Sequence, residues 1–129
     1  MDFLNACGIL DSEDVLKNWD AIKKQTKQQK TQTEVLQSIS AALPALMRSA
    51  KVQQKAAKVG FDWPDVGGAL EKVAEELEEV KEEIKKGDPQ GQWNEIGDLL
   101  FSVVNVSRFL QVEPEQALTL ACNKFIDRF

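Results

Sequence analysis

The sequence of 129 residues contains no histidine, and this absence excludes several kinds of active site. Histidine supplies the general base of most serine and cysteine hydrolases, and it is a frequent ligand of catalytic zinc. It also completes the Glu-x-x-His motif of di-iron helical bundles. Any catalysis by this chain therefore depends on carboxylates, lysine, arginine and a bound metal ion.

Cysteine and long apolar runs are also scarce. Cys7 and Cys122 lie far apart without the spacing of a metal site, which is typical of free thiols, with a disulfide as the alternative. No stretch approaches the roughly 18 apolar residues that a membrane helix needs. The N-terminal residues lack the pattern of a signal peptide. We therefore expect a cytoplasmic protein without a membrane partner.

Charge is distributed unevenly along the chain, which has a net charge of −5. Residues 1–60 carry nine Lys/Arg against six Asp/Glu, whereas residues 61–129 carry seven against fifteen. An acidic protein is a poor general binder of nucleic acid, so we expect no nucleic-acid partner. The acidity is concentrated in the second half of the chain.

Helical periodicity dominates the sequence, and we predict an all-α bundle of four to six helices. Residues 1–32 are predicted to form a helical arm and linker, with a helix from about Ser12 to Lys27, and residues 33–129 a helical domain. Proline and glycine interrupt the predicted helices of the domain at Pro44, Gly60, Gly87-Asp88-Pro89 and Glu113-Pro114. The large apolar surface of the two longest helices favours a dimer.

The predicted helix from about Val66 to Lys86 contains the acidic run EELEEVKEEIKK at residues 75–86. A helical wheel predicts a core-facing stripe of Leu70, Val73, Leu77, Val80 and Ile84. Glu76 lies at the border of this stripe, and Glu79 has glutamate at all four neighbouring helical positions. Like charges at that spacing destabilise a helix. The run is therefore either a solvated surface or half of a cation site.

The next predicted helix, from about Gln90 to Leu110, is apolar nearly all round and should be buried. Its one polar strip consists of Glu95, Asp98, Ser102 and Asn105. Buried carboxylates need partners, which can be two lysines or a metal ion. An antiparallel hairpin would bring the strip against Glu76 and Glu79. Four converging carboxylates without histidine or cysteine favour Mg²⁺, with Mn²⁺ as a substitute.

The motifs Glu76-Leu77-Glu78-Glu79 and Glu95-Ile96-Gly97-Asp98 resemble those of the MazG family of nucleoside triphosphate pyrophosphohydrolases. The blocks LPALMRSAKVQQKAAKVGFDWP, KVAEELEEV, EIGDLLFSVVNVSRFL and NKFIDRF resemble the C-terminal MazG domain of two-domain members. The resemblance implies an all-α, usually dimeric enzyme. With Mg²⁺ it would convert an NTP or dNTP to the monophosphate and pyrophosphate, a role in nucleotide-pool house-cleaning.

Carried over by position, the resemblance implies metal ligands at Glu76, Glu79, Glu95 and Asp98. It implies contacts to the nucleotide or its phosphates from Lys72, Glu75, Lys124 and Arg128. Members of this type usually continue with a tail that reaches the nucleotide, whereas the sequence ends at Phe129. We therefore expect incomplete affinity or base selectivity. The chain is interpreted as either a piece of a longer protein or a one-domain member.

The catalytic group is predicted to consist of Glu75, Glu76 and Glu79. With no histidine, the attacking water must be activated by a carboxylate or by the metal, and Glu75 and Glu79 are both candidate bases. One alternative function is a related pyrophosphohydrolase that acts on a single nucleotide, such as dUTP, dCTP or a modified base. Another is a helical interaction module without catalysis, whose acidic helix binds a basic partner.

Overall fold

The computed structural model describes residues 33–129, so the predicted helix from Ser12 to Lys27 lies outside the described residues. A short helical segment at residues 33–38 precedes four longer helices, α1 (Ala45–Lys58), α2 (Val66–Lys86), α3 (Pro89–Phe109) and α4 (Pro114–Arg128). No strand occurs within residues 33–129, and the all-α prediction is confirmed. None of the helices in this range is both long and apolar enough to cross a membrane.

The turn between α2 and α3 follows directly from three residues. Gly87 ends α2 in the left-handed conformation with φ of 66°, which a glycine adopts without steric cost. The Asp88 carboxylate accepts a hydrogen bond of 3.1 Å from the backbone N–H two residues further on. Pro89 then occupies the first position of α3, and Glu113-Pro114 begins α4 in the same manner. The predicted helix boundaries are confirmed at these positions.

The hairpin of α2 and α3 is the centre of the described domain, and the other two long helices attach to it in series. Helix α1 packs on α3, where Gln53 Nε2 donates a hydrogen bond of 3.1 Å to the carbonyl oxygen of Phe101. Helix α4 packs on α1, where Glu115 accepts a hydrogen bond of 3.1 Å from the backbone N–H of Leu46. These bonds give the outer helices a defined position relative to the hairpin.

The connection between α1 and α2 is anchored to the far end of the hairpin. Asp62 forms an ion pair with Arg108, whose Nε also donates a hydrogen bond of 2.9 Å to Asn105. The ring of Trp63 lies over Gly68, where an added Cβ would be 2.7 Å from a ring carbon. Gly68 therefore lets the connection close over the first turn of α2, because any larger residue would meet the indole.

The interior of the hairpin holds polar as well as apolar side chains, and the predicted apolar core stripe of α2 is confirmed at Val80, which is buried, but is wrong at three other positions. Leu70, Leu77 and Ile84 are 52%, 44% and 61% exposed. The buried residues of α2 are Ala69, Lys72, Glu76 and Val80. The buried side of α2 is thus displaced from the predicted apolar stripe towards Glu76. The reason is that the polar strip of α3 occupies the side that faces α2.

Helix α3 likewise buries polar residues and exposes several apolar ones. The prediction that this helix is buried is therefore also wrong. Its buried residues are Ser102, Val104 and Asn105. Four of its large apolar side chains, those of Trp93, Ile96, Leu100 and Val103, are 44% to 81% exposed, and most of the others are half-buried. Together with three of α2, these four form what we call the outer apolar face, which consists of Leu70, Leu77, Ile84, Trp93, Ile96, Leu100 and Val103. Exposed apolar surface of this extent is typical of an interface.

Candidate metal centre

Three carboxylates converge between α2 and α3. One carboxylate oxygen from each of Glu76, Glu95 and Asp98 lies within 4.8 Å of the other two. Glu76 is placed by α2, and the other two lie one turn apart on the facing side of α3. We call these three residues the acidic cluster. They are three of the four residues that the sequence predicts as metal ligands.

The acidic cluster is buried at one end and open at the other. Glu76 is only 1% exposed, Glu95 is half-buried and Asp98 is exposed. The Oε2 atoms of Glu76 and Glu95 are buried, and neither accepts a hydrogen bond from residues 33–129. Buried polar atoms without a partner are rare and unfavourable, and carboxylate oxygens are the ligands that Mg²⁺ prefers. The donor set therefore fits a divalent cation.

Crowding in the acidic cluster changes the acidity of the two carboxyl groups on α3. The pKa of Glu95 is raised by burial first, and then by the neighbouring carboxyl groups of Glu76 and Asp98. The pKa of Asp98 is raised by burial of its carboxyl group and by the charge of Glu76, and Lys72 opposes this effect. The acidic cluster is therefore chemically suited to a bound cation.

A lysine supplies part of that positive charge from within the hairpin. Lys72 Nζ lies 2.5 Å from Glu76 Oε1 and 3.6 Å from Glu75 Oε2. The side chain of Lys72 is 3% exposed, whereas that of Glu75 is 51% exposed. The sequence predicted only a contact from Lys72 to the nucleotide or its phosphates. Its spacing of four residues from Glu76 allows the two side chains to pair on one side of the helix, but does not indicate that the pair is buried.

The other predicted site residues lie outside the acidic cluster. Glu79 follows Glu76 by one helical turn and is half-buried, but it is not one of the three converging residues. Lys124 and Arg128 are exposed on α4, the helix that packs on α1. Their assignment to metal and nucleotide, like the catalytic role of Glu75, Glu76 and Glu79, stays a prediction.

The polar strip of α3 continues beyond the acidic cluster, but there its groups are paired locally. Ser102 Oγ donates a hydrogen bond of 2.7 Å to the carbonyl oxygen of Leu99. Asn105 accepts the hydrogen bond from Arg108 that belongs to the anchor of the α1–α2 connection. The unsatisfied carboxylate oxygens of the strip are therefore confined to its beginning, near Glu95 and Asp98.

Comparison with known proteins adds a family to this geometry. Residues 68–129, which include the whole acidic cluster, match the MazG nucleotide pyrophosphohydrolase domain. The chain is 47% identical over 113 residues to the nucleoside triphosphate pyrophosphohydrolase/pyrophosphatase MazG of Thermotoga maritima, which covers 88% of this chain and 43% of that protein. The chain therefore contains a MazG domain.

Two further relatives share the MazG domain region. The nucleoside triphosphate pyrophosphohydrolase of Escherichia coli K12 is 43% identical over 121 residues, covering 92% of this chain and 46% of that protein. YabN of Bacillus subtilis is 47% identical over 122 residues, covering 94% of this chain and 25% of that protein. The chain thus spans less than half the length of these curated relatives.

Proposed function

We propose that the MazG domain of this chain hydrolyses nucleoside triphosphates to the monophosphate and pyrophosphate with the help of Mg²⁺. The observation that carries the proposal is the acidic cluster, in which buried oxygens of Glu76 and Glu95 lack a hydrogen-bond donor among residues 33–129. The names of the two pyrophosphohydrolase relatives support the substrate class. Nucleotide-pool house-cleaning in the cytoplasm is the corresponding role.

The acidic cluster would hold the metal, with Glu79 as a further ligand from the next turn of α2. Mn²⁺ has the same preference for oxygen ligands and would substitute for Mg²⁺. When bound, the ion polarises phosphoryl oxygens, activates the attacking water and neutralises charge on the leaving pyrophosphate. Burial of Glu76 strengthens these interactions because the local dielectric is lower than that of water.

The remaining residues of the proposed site orient the substrate and handle the proton. Glu75 is more than half exposed, so it can accept a proton from a water molecule and release it to solvent. Glu79, which is half-buried, is the other candidate base. Lys72 neutralises charge beside the cluster. Lys124 and Arg128 lie one turn apart on α4, a spacing that presents both cations to a polyphosphate.

The proposed active form is a homodimer. The outer apolar face leaves seven large side chains between 44% and 81% exposed in the described chain. A second copy that covers this face would bury them, and symmetric pairs of identical chains are the commonest oligomers. We assign residues 33–129 to the catalytic domain and residues 1–32 to an arm or linker. No nucleic acid or membrane is part of the proposal.

The decisive experiment measures pyrophosphate release from the eight common NTPs and dNTPs, with and without Mg²⁺. Hydrolysis should require the metal and fall at least about 100-fold in Asp98→Asn, beyond the effect typical of residues that only support ligands. Glu78→Gln is the matched control, because Glu78 lies on α2 and pairs with Lys81 in solvent at 3.0 Å. Circular dichroism establishes that both variants are folded.

The nucleotide panel also separates the alternatives. Hydrolysis of a single nucleotide would indicate the narrow pyrophosphohydrolase. No hydrolysis of any of the eight with Mg²⁺ or Mn²⁺ would contradict the proposal. If the metal also fails to raise the melting temperature, the acidic helix is better interpreted as a docking surface for a basic partner.

A further inference from the structure

The ion pair with Lys72 uses Oε1 of the Glu76 carboxylate, whose other oxygen, Oε2, is buried without a partner among residues 33–129 and is available to the proposed metal. We propose that Lys72 competes with the divalent cation for Glu76, and that metal binding transfers its ammonium group to Glu75. The inference rests on the proposed function, because it concerns the same metal site. It adds an internal cation that regulates occupancy of this site.

The competition follows from the distance between the two groups. Lys72 Nζ lies 2.5 Å from Glu76 Oε1, in direct contact with that carboxylate. A Mg²⁺ ion binds a carboxylate oxygen at about 2.1 Å. Both cations on one carboxylate would lie only a few ångströms apart, at a place where Lys72 is 3% and Glu76 is 1% exposed. Water screens their repulsion poorly there, so binding of one cation weakens binding of the other.

The lysine has a second carboxylate within reach. Lys72 Nζ is 3.6 Å from Glu75 Oε2, and the side chain of Glu75 is 51% exposed. Rotation about the terminal bonds of Lys72 can therefore move the ammonium group from the buried carboxylate to the exposed one. The group then lies nearer to solvent, where a triphosphate would approach. Metal binding would thus precede nucleotide binding and prepare a cation for the phosphates.

Two other lysines of the same helix, Lys81 and Lys85, offer no such exchange. Lys81 pairs with Glu78 at 3.0 Å, and Lys85 pairs with Glu82 at 3.6 Å. All four of these side chains are more than half exposed. None of them belongs to the acidic cluster. Lys81 is therefore a matched control, because it carries the same charge and lies on the same helix but pairs with a solvent-exposed carboxylate.

The test measures Mg²⁺ binding by isothermal titration calorimetry without nucleotide. Lys72→Met should bind Mg²⁺ about tenfold more tightly than the unaltered protein, because the competing charge is gone. Lys81→Met should bind as the unaltered protein does. Equal or weaker binding by Lys72→Met would overturn the inference. If the unaltered protein binds no Mg²⁺, the proposed function fails instead, so the two failures are distinguishable.

A second variant keeps the test valid if Lys72→Met does not fold. Glu75→Gln retains the buried ion pair but removes the carboxylate that receives the displaced ammonium group. It should bind Mg²⁺ several-fold more weakly, whereas Glu78→Gln, which removes the same charge from an exposed position of α2, should change the affinity less. Equal affinities of these two variants would contradict the transfer of Lys72 to Glu75.

Discussion

The inner side of the α2–α3 hairpin carries charged residues and its outer side carries apolar ones. This distribution is the reverse of that in an ordinary soluble protein. The inner side holds Lys72, Glu76 and Glu95, whereas the outer side exposes Leu77 and Leu100 to solvent. Apolar burial normally drives helix pairing, and buried charges normally oppose it. The comparison indicates that each side is completed by something else. We propose that a cation completes the inner side and that a second copy of the chain completes the outer side.

The prediction with the largest effect tests the outer side. Leu100→Glu should weaken self-association by at least about 1000-fold, because an unpaired carboxylate in an apolar interface costs several kcal/mol. Leu100 is 53% exposed in the described chain, so the same change should affect an isolated chain little. Sedimentation velocity over a dilution series measures the monomer–dimer equilibrium.

The control for this prediction adds the same charge to the same helix. Gln90 is an exposed polar residue in the first turn of α3, so Gln90→Glu should leave self-association unchanged. If the unaltered protein is monomeric at every concentration, or if Leu100→Glu dimerises normally, the outer apolar face is not the interface between copies.

The second prediction concerns pH and the inner side. A carboxyl group with a raised pKa retains a proton in the folded protein that the unfolded chain has already released. The raised pKa of Glu95, above its ordinary value of 4.5, therefore lowers stability as pH rises through the interval above 4.5. Urea unfolding without divalent metal should show this loss. Glu95→Gln should reduce it, because one of the titrating groups is removed.

Magnesium should reverse the pH trend. The metal binds the ionised carboxylates, so it should stabilise the protein more as pH rises through the same interval. Asp98, whose pKa is raised from its ordinary value of 3.8, should contribute in the same direction. A profile in Mg²⁺ that runs parallel to the metal-free profile would show that the cation does not bind these groups.

The prediction with the smallest effect concerns the solvated flank of α2. Lys81→Met should change the free energy of unfolding by less than about 0.5 kcal/mol, because exposed ion pairs contribute little. Without divalent metal, Lys72→Met should lower it by roughly 3 kcal/mol, since the buried Glu76 loses a contacting cation. Urea titrations of both variants compare the effects directly. Equal changes in the free energy of unfolding would mean that the buried ion pair of Lys72 contributes no more to stability than the exposed pair of Lys81.

The helix ends and the acidic cluster could be predicted because their causes are local. Gly87, Asp88 and Pro89 act on the backbone within a few residues, and their effect does not depend on tertiary packing. The short turn then determines which residues of α3 face Glu76. Wheel geometry and the hairpin predicted four converging carboxylates, of which the structure brings together three, those of Glu76, Glu95 and Asp98, whereas Glu79 lies outside the acidic cluster.

The orientation of α2 was predicted incorrectly because a helical wheel identifies an apolar stripe without identifying what covers it. The stripe through Leu70, Leu77 and Ile84 was assigned to the core of the same chain, but it lies on the outer apolar face. The burial of Lys72 was missed for the same reason. One sequence does not show what covers a helix face, so the inner and outer sides could not be distinguished.

The short turn at Gly87 also has a consequence for folding. Both helices that supply the acidic cluster belong to one continuous segment, Val66–Phe109, with only two residues between them. Closing such a short connection loses little chain entropy, and contacts between neighbours in sequence form quickly. The carboxylates therefore meet as soon as the hairpin forms. The ammonium group of Lys72, or a bound metal ion, would then stabilise the hairpin while it forms, before any substrate is bound.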